Sequence, residues 1–518
     1  MTHRIVFMPE QVEISVPNGT LLTDAAKRAG VFFDAPCGGN GTCGKCAVLR
    51  TQNGLTERVL ACQTPVLADC TISRTSEATL RSLNEGISRL VPFAPYPEAD
   101  CTQDNACFAA FDLGTTTIVC YLLDAKTGEQ LSVRGMQNPQ AAYGADVIAR
   151  ANYALTSEEP LALQTCVVQA LNELITRVCA DCGRTAANVS LLSLVGNTVM
   201  HHLLLGYPLE QLVRAPYEPH RSERQIVPAA SLGIQAGVDA KLLLAPVVGG
   251  FVGADTVACL SATAFDTLNQ PTLLLDIGTN GELALTDGTR RVCCSTAAGP
   301  AFEGATISCG MRAVSGAVDH VWLEDDAFRY STVDAAPAIG LCGSGLIELC
   351  ALLSNLDVVE ESGKLNGKAA LSERVLTLEN GMKAFRITEG DTPLLLTQKD
   401  VRELQLGKAA MRAGIEVLLH ELGLTADQVQ RTLLAGAFGA HISAQALCDI
   451  GLLPRELQHS VESIGNAAGE GAKLYARNFE LFERSEALAR ETTYLELTLN
   501  KSFTDYYVDA MAFPREDD

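Results

Sequence analysis

Three features are missing from this 518-residue sequence: a long hydrophobic run, a basic excess and an N-terminal leader. No stretch of ~18 apolar residues occurs, so no membrane-spanning helix is expected. Residues 1–17 alternate between apolar and polar and carry no cleavage site, so no secretory signal peptide is expected. The chain has 39 basic and 61 acidic residues and a net charge of −22, which would repel a nucleic acid. These absences predict a cytoplasmic protein that binds neither membrane nor nucleic acid.

The length and composition are those of an ordinary folded protein with several domains. At ~150 residues per domain, the chain is long enough for about three units. Hydrophobic residues make up 47% of the sequence and charged residues 19%, which suffices for normal cores. Eighteen cysteines in a cytoplasmic chain are expected to be reduced. Most of them, including the pair Cys179 and Cys182, are interpreted as small buried hydrophobic residues.

The N-terminal part predicts a small β-rich domain over residues 1–78. Strands are expected at residues 4–8, 12–16, 46–51, 58–63 and 69–74. A helix is expected to begin at a cap on Asn18 or Thr20 and to end at Ala29, before Gly30. Residues 79–106 have weak periodicity and contain three prolines, Pro92, Pro95 and Pro97. They are expected to form a linker on which the small domain can swing.

Four cysteines of the small domain have the spacing of cluster ligands: Cys37, Cys43, Cys46 and Cys62, with gaps of five, two and fifteen residues. Iron–sulfur clusters are held by thiolates, and a loop that wraps a cluster needs the backbone freedom of glycine. That freedom is available at Gly38, Gly39, Gly41 and Gly44. Two alternatives are a loop with incidental thiols and a zinc site, although zinc sites usually have two close ligand pairs.

Residues 3–75 resemble the plant-type and vertebrate-type ferredoxins. The resemblance implies an α+β fold of the β-grasp type and a 2Fe–2S cluster held by the four cysteines. The sequence has no Cys-x2-Cys-x2-Cys run, so a 4Fe–4S ferredoxin is not expected.

The rest of the chain contains two copies of an Asp-x-Gly-Thr turn, 276 − 112 = 164 residues apart. The first is Asp112-Leu-Gly114-Thr115-Thr116-Thr117, and the second is Asp276-Ile-Gly278-Thr279-Asn280-Gly281-Glu282. Each follows an apolar strand and leads into another, and so long a repeat indicates two related subdomains. Such a turn surrounds a phosphate with amides and hydroxyls, while its aspartate holds Mg²⁺ through water.

A third segment, Gly436-Ala437-Phe438-Gly439, follows a predicted strand at residues 431–435. Its glycines would let a nucleoside approach the backbone. The clearest helix of the sequence lies before it, at residues 400–422. Thr397 with Asp400 predicts a capping box at its start, and Gly423 predicts its end.

These three segments resemble the superfamily that unites actin, sugar and acetate kinases and the heat-shock chaperone ATPases. The resemblance implies a duplicated, ribonuclease-H-like α/β fold over residues 107–518, with subdomains of about 107–268 and 269–518. It implies that Mg–ATP binds to the two turns and to residues 436–439. It also implies that helices near Gly144–Arg150 and Gly465–Leu474 connect the subdomains.

Further segments resemble the reductive activators of corrinoid proteins, over nearly all of residues 108–515. The segments are Asn138-Pro-Gln-x-x-Tyr-Gly-Ala-Asp146, Gly196-Asn-Thr198, Ala298-Gly-Pro-Ala-Phe-Glu-Gly304, Cys342-Gly343-Ser344-Gly345 and Gly465-Asn-Ala-Ala468. The resemblance implies ATP-dependent reduction of a Co(II) corrinoid protein to Co(I), with the electron supplied by the cluster. Its partners would be the corrinoid protein of a methyltransferase system and a low-potential electron donor.

The resemblance also assigns the site residues. Asp112, Asp276 and Glu282 are expected to be catalytic. The turns, the segment Gly343-Ser344-Gly345 and residues 436–439 are expected to bind the nucleotide. Only about 30 residues separate the two parts, so the middle domain that many of these activators carry is expected to be missing. A homodimer is left open.

Two other functions are kept as alternatives. One is an ATP-driven activator of 2-hydroxyacyl-CoA dehydratases, which resembles the ATPase part but lacks a fused 2Fe–2S domain. The other is a nucleotide-binding redox sensor or chaperone-like module. His201 and His202 are interpreted as core histidines, and Ser295 and Thr296 as turn residues, with contact to the corrinoid partner as the alternative for these two.

Overall fold

The structure, a computed structural model, describes residues 2–8, 11–31, 33, 41, 46–52, 54–74, 87, 89–157, 159, 161–436 and 442–515. Within these residues the strands form one sheet of five strands, two sheets of six and two sheets of three. None of the described helices is both long enough and apolar enough to cross a membrane.

The first sheet and one helix make up the small N-terminal domain. Its elements are β1 (Thr2–Met8), β2 (Val12–Pro17), α1 (Leu22–Arg28), β3 (Ala47–Gln52), β4 (Leu55–Leu60) and β5 (Cys70–Arg74). The sheet order is β2-β1-β5-β3-β4, and β1 pairs parallel with β5 at the centre. The predicted strands are confirmed within a few residues. The predicted N-cap of α1 is wrong, because its N-cap is Leu21, which makes no side-chain capping bond. The predicted end is confirmed, because the C-cap is Ala29 and Gly30 follows it with φ +70°.

The second sheet begins after the linker. Its strands are β6 (Cys107–Leu113), β7 (Thr117–Asp124), β8 (Gln130–Gln137), β9 (Val189–Gly196), β10 (Gln225–Pro228) and β11 (Lys241–Leu244). The helices of this part are α2 (Val147–Thr156), α3 (Ala162–Asp181), α4 (Thr198–Leu205) and α5 (Ala254–Ala262). The central strand β6 is buried at all but one position, because its apolar run is covered on both faces.

The C-terminal part contains the third sheet and the two small sheets. Its strands are β12 (Thr272–Ile277), β13 (Gly281–Thr286), β14 (Arg291–Thr296), β15 (Ala317–Glu324), β16 (Ala327–Thr332), β17 (Gly340–Leu341), β18 (Val375–Thr377), β19 (Lys383–Arg386), β20 (Leu395–Thr397), β21 (Arg431–Ala435), β22 (Val461–Gly465) and β23 (Thr492–Tyr494). Its helices are α6 (Gly343–Asn355), α7 (Gln398–Leu422), α8 (Ala444–Asp449), α9 (Ala467–Arg477), α10 (Phe479–Glu491) and α11 (Lys501–Asp509).

The two six-stranded sheets share a core of five strands with the same topology, which confirms the predicted duplication. Their orders are β10-β11-β9-β6-β7-β8 and β22-β21-β12-β13-β14-β23, so β10 and β23 are added at opposite ends of the shared core. In each, three consecutive strands form an antiparallel meander, β6-β7-β8 or β12-β13-β14. The first strand of each meander pairs parallel with a later strand, β9 or β21. Each Asp-x-Gly-Thr turn therefore lies at the same place in its sheet, between the first two strands of the meander.

The helices that cross between the two halves are α5 and α9. They pack so closely that a Cβ atom at Gly471 of α9 would collide with the carbonyl of Ala258 in α5. The prediction for the second helix, near Gly465–Leu474, matches α9. The prediction for the first, near Gly144–Arg150, is wrong, because that segment starts α2, which packs against α3 and α4.

The described part of the predicted linker is bound to β22, to the end of α9 and to the start of α10. Ile87 N donates to Ile464 O at 2.9 Å, and Ala94 N donates to Arg477 O at 2.9 Å. Phe479 N donates to Ala94 O at 2.8 Å, and the rings of Tyr96 and Phe479 lie 4.9 Å apart. The expectation of a freely swinging linker is wrong for residue 87 and residues 89–106, which are held by the ATPase-like part.

Candidate functional site

The first Asp-x-Gly-Thr turn is a tight connection between β6 and β7. Gly114 N donates to Thr117 O at 3.0 Å, and a Cβ at Gly114 would lie 2.7 Å from that oxygen. Glycine is therefore required at this position by the turn itself. Asp112 precedes the turn in β6, and the hydroxyl groups of Thr115 and Thr116 follow Gly114.

The second turn joins β12 to β13 in the same manner. Gly278 N donates to Asn280 O at 3.0 Å. Asp276 and Glu282 face each other across the hairpin as a cross-strand pair. A Cβ at Gly281 would collide with Met411 of α7, so this helix lies directly behind the hairpin.

The two turns are in direct contact although they are far apart in the sequence. The hydroxyl oxygens of Thr116 and Thr279 lie 2.8 Å apart. Thr279 donates to Glu303 Oε1 at 2.8 Å, so Thr116 is the donor to Thr279. The structure thus brings together both predicted phosphate turns at one cleft.

Four partly buried carboxylates lie in this cleft, and sequence reasoning had identified three of them: Asp112, Asp276 and Glu282. Burial raises the pKa of Asp112 to about 6, with Asn466 opposing the shift and Asp276 adding to it. Burial raises the pKa of Asp276 as well. Burial, followed by repulsion from Asp255 and Asp276, raises the pKa of Glu282 well above its usual value.

The fourth carboxylate, Asp255, was missed by sequence reasoning. It lies in the first turn of α5, and burial raises its pKa to about 7, with Asp276 and Asp112 adding to the shift. The signal that could have found it is the glycine-rich segment Gly249-Gly250-Phe-Val-Gly253 directly before it. A Cβ at Gly253 would collide with Asn197, so this segment brings α5 against the second sheet.

None of the four carboxylates forms an ion pair with a described lysine, arginine or histidine. In the part of the chain that the structure describes, no three acidic, histidine or cysteine side chains converge closely enough to ligate a metal directly. This donor set fits a hydrated Mg²⁺ that the carboxylates contact through its water molecules, since Mg²⁺ gives up its waters reluctantly.

Three asparagines hold the first turn in place, and sequence reasoning had quoted their segments without giving them a role. Asn138 Nδ2 donates to Gly114 O, Asn197 Nδ2 to Thr115 Oγ1 and Asn466 Nδ2 to Asp112 Oδ2, each at 2.9 Å. Each asparagine also caps the helix that follows it, through its side-chain oxygen. The signal in the sequence was an asparagine one residue before a helix in each of the three segments.

The other predicted nucleotide-binding segments are only partly described. Gly436 has φ +99°, and a Cβ there would lie 2.6 Å from Ile277 O, beside the second turn. Ala437, Phe438 and Gly439 lie outside the described residues. Gly343, Ser344 and Gly345 start α6, where Ser344 Oγ donates to Asp319 O of β15 at 3.1 Å. No hydrogen bond within the described residues joins these three to either turn.

Two of the four predicted cluster ligands are described. The Sγ atoms of Cys46 and Cys62 lie 3.2 Å apart and are buried, and neither cysteine is in a disulfide. Gln63 Nε2 donates to Cys62 Sγ at 3.7 Å, the kind of contact that tunes a cluster. Two adjacent buried thiols fit a cluster, because one iron atom can contact both. Cys37 and Cys43 lie outside the described residues.

The remaining candidates have structural roles. His202 Nδ1 lies 2.8 Å from Thr198 O, and its Nε2 accepts from His220 N, so this histidine belongs to the core as expected. Ser295 and Thr296 were expected in a loop, but both lie in β14. Ser295 Oγ donates to Glu282 Oε1 at 3.2 Å, which places it beside the carboxylates.

Three family models match the chain in sequence order. A 2Fe–2S iron–sulfur cluster binding domain matches residues 6–67, the middle region of RACo matches residues 108–268, and the C-terminal ASKHA domain of RACo matches residues 270–518. The region that this family model calls the middle region thus falls within the predicted first ATPase subdomain, and not between residues 78 and 107. This region is the part of the chain that carries the first Asp-x-Gly-Thr turn.

Two curated relatives and one solved structure cover most of the chain. The corrinoid activation enzyme RamQ of Eubacterium limosum is 30% identical over 583 aligned residues, which cover 98% of both chains. The Co(II) methylated amine-specific corrinoid protein reductase of Methanosarcina barkeri is 25% identical and covers 78% of this chain and 76% of its own. The structure of a reductive activator for a corrinoid, iron–sulfur protein has a TM-score of 0.73 and 28% identity. It covers 99% of this chain and 98% of its own.

The agreement extends from the small iron–sulfur domain through both halves of the duplicated ATPase-like fold. The chain belongs to the RACo family, the reductive activators of corrinoid proteins.

Proposed function

We propose that this protein uses ATP to reduce the Co(II) form of a corrinoid protein to Co(I), with the electron passing through a 2Fe–2S cluster. The observation that carries the proposal is one cleft in which two Asp-x-Gly-Thr turns and four partly buried carboxylates meet, in a chain that also matches a cluster-binding domain. The proposal includes a low-potential electron donor, a corrinoid protein of a methyltransferase system as partner, and a cytoplasmic location.

The nucleotide would be held by the two turns. The amides and hydroxyls of residues 114–117 and 278–281 would contact the phosphates, and residues 436–439 would contact the nucleoside. Asp112 and Asp276 would hold Mg²⁺ through its waters. Glu282 would accept the proton of the water that attacks the γ-phosphate, since a nearby Mg²⁺ favours the ionised carboxylate. The same cation would offset the repulsion among the four carboxylates.

The electron would travel through the small domain. Cys37, Cys43, Cys46 and Cys62 would hold the cluster, which supplies one-electron chemistry at low potential when bound. ATP is needed where the cluster alone is too weak a reductant. A deficit of about 100 mV for one electron corresponds to about 2.3 kcal/mol. Binding of ATP that favours one state of the complex commonly contributes about 1–3 kcal/mol, which is the same range.

Two matched variants separate the two parts of the site. Asp276→Ala should abolish ATP hydrolysis while the visible spectrum of the cluster stays intact, because it removes one contact to Mg²⁺. Cys62→Ser should alter the spectrum and abolish Co(I) formation while ATP still binds. Glu324→Ala, which removes an exposed ion pair with Arg329, is the control and should leave both properties unchanged.

The measurements are phosphate release, the visible spectrum and iron and sulfide content. About two irons and two sulfides per chain are expected. Hydrolysis at the wild-type rate in Asp276→Ala would refute the role given to the second turn. Four irons, or zinc alone, would refute the proposed cluster.

A further inference from the structure

Both crossing helices have one end at the carboxylate cleft. Asp255 lies in the first turn of α5. Asn466 caps α9, and its Nδ2 donates to Asp112 Oδ2 at 2.9 Å and to the hydroxyl of Tyr121 at 3.2 Å. The first turn of each helix therefore contributes a polar side chain to the place where Mg–ATP is proposed to bind.

The C-terminal end of each of the two helices is in contact with the linker. Ser261 O, in the last turn of α5, accepts a hydrogen bond from Arg89 Nη1 at 2.5 Å. Arg477 O, at the end of α9, accepts from Ala94 N at 2.9 Å. Asn478, the next residue, is buried and donates from Nδ2 to Pro92 O at 2.9 Å. The linker thus contacts the last turns of the same two helices whose first turns line the cleft.

The two helices are in direct contact with each other. Gly471 of α9 lies against Ala258 of α5 with no room for a Cβ atom, and Ser193 Oγ of β9 donates to Ala472 O at 2.6 Å. Closely packed interiors transmit displacements, because they do not deform gradually. At a rise of about 1.5 Å per residue, α9 spans about 16 Å between the cleft and the linker.

We propose that residue 87 and residues 89–96 of the linker form the surface that responds to nucleotide, and that α5 and α9 transmit the state of the cleft to it. Asn466 and Asn478 are the positioning residues at the two ends of α9. The inference rests on the proposed function only in taking Mg–ATP as the ligand of the cleft; it does not need the corrinoid partner.

The chain offers conservative substitutions at both ends of α9. Asn478 caps α10 by accepting from Leu481 N at 2.9 Å, and aspartate caps equally well. Asn478→Asp therefore keeps the cap but sets a carboxylate oxygen against Pro92 O. Asn466→Ser keeps a capping residue on α9 and removes the donor to Asp112 without adding a charge. Asn500→Asp is the control, because Asn500 caps α11 and its Nδ2 donates to no described residue.

The test is hydrogen–deuterium exchange of the full-length protein with its cluster, with and without Mg²⁺ and a non-hydrolysable ATP analogue. In the wild type, saturating analogue should change the exchange rate of linker amides, including Ile87 and Ala94, by about tenfold. Asn478→Asp should exchange faster at Ala94 in both states, while its affinity for the analogue is unchanged. Asn466→Ser should have wild-type exchange without analogue and lose the response to it.

Linker exchange that is identical with and without saturating analogue in the wild type would overturn the inference. Faster exchange at Ala94 in the Asn500→Asp variant would also overturn the inference, because the effect would then come from a change of helix cap in general. A wild type that shows the linker response but no ATP-dependent Co(I) formation would overturn the proposed function and leave this inference standing. The two failures are therefore distinguishable.

Discussion

At the scale of single residues, the four carboxylates of the candidate site share a raised pKa. Asp112, Asp255, Asp276 and Glu282 are partly buried near one another, and removal from water raises the pKa of each. A partly buried carboxylate without a positive partner among the described residues is costly in its ionised form, so the protein is expected to hold protons there until Mg²⁺ binds. The affinity of the cleft for Mg–ATP should therefore increase with pH.

The stability of the metal-free protein should depend on pH in a defined direction. The pKa of Asp112 is raised to about 6 and that of Asp255 to about 7, whereas unfolded aspartate titrates near pH ~3.9. The folded state thus holds more protons than the unfolded state between these values. The contribution is fully present below the unfolded pKa and is lost as pH rises through the folded pKa.

In EDTA, the melting temperature should fall as pH rises from ~5 to ~8. Mg²⁺ with an ATP analogue should remove most of that fall, and Asp255→Asn should reduce it without any ligand. Differential scanning calorimetry at several pH values measures all three. A melting temperature that rises over this range in EDTA, with no effect of Asp255→Asn, would contradict the assigned electrostatics.

At the scale of secondary-structure elements, α5 and α9 pack closely against each other between the two halves of the fold. Alanine normally stabilises a helix relative to glycine by about 1 kcal/mol. At Gly471 the new methyl group would collide with Ala258, and overpacking of this kind costs about 1–3 kcal/mol. Gly471→Ala should therefore lower the denaturation midpoint.

The control is Gly367→Ala, where the nearest atom to a new Cβ is 3.7 Å away. This variant should stay within about 0.5 kcal/mol of the wild type. The measurement is chemical denaturation followed by circular dichroism. A higher midpoint for Gly471→Ala would mean that helix propensity outweighs the close approach and that the two helices can separate.

Elements with strong local signals could be predicted from the sequence. The strand at 117–124 matches β7, and the helix at 400–422 matches α7, whose capping box at Thr397 and end at Gly423 are both present. Elements whose role depends on tertiary contacts could not be predicted from the sequence. Helix α5 has only nine residues, and its role comes from packing against α9, which no local pattern reveals. Asp255 was missed because the glycine-rich segment before it indicates a close approach of the backbone but not the distant groups that it meets.

The candidate site was predicted where its residues share a repeated motif. Both turns were found because the motif occurs twice with the same neighbours. The contact between Thr116 and Thr279, the link from Thr279 to Glu303 and the donors at Asn138, Asn197 and Asn466 arise only when distant segments meet. The linker was misjudged because its prolines predict an extended chain but not the surface that binds it.

At the scale of the whole molecule, two helices and a bound linker join the candidate nucleotide site to the far side of the duplicated fold. Each of the two six-stranded sheets supplies one Asp-x-Gly-Thr turn, and the helices that cross between them begin at that site. Under the proposed function, a change at the site has a continuous, packed route to the described part of the linker.

The most direct test is the yield of Co(I) from a corrinoid protein of a methyltransferase system, measured by its absorption band. The mixture contains this protein with its cluster and a limiting low-potential reductant, with and without Mg–ATP. The account predicts a substantial Co(I) yield only with ATP, lost in Asp276→Ala and in Cys62→Ser but retained in Glu324→Ala. An equal Co(I) yield with and without ATP would contradict the claim that ATP drives the electron transfer.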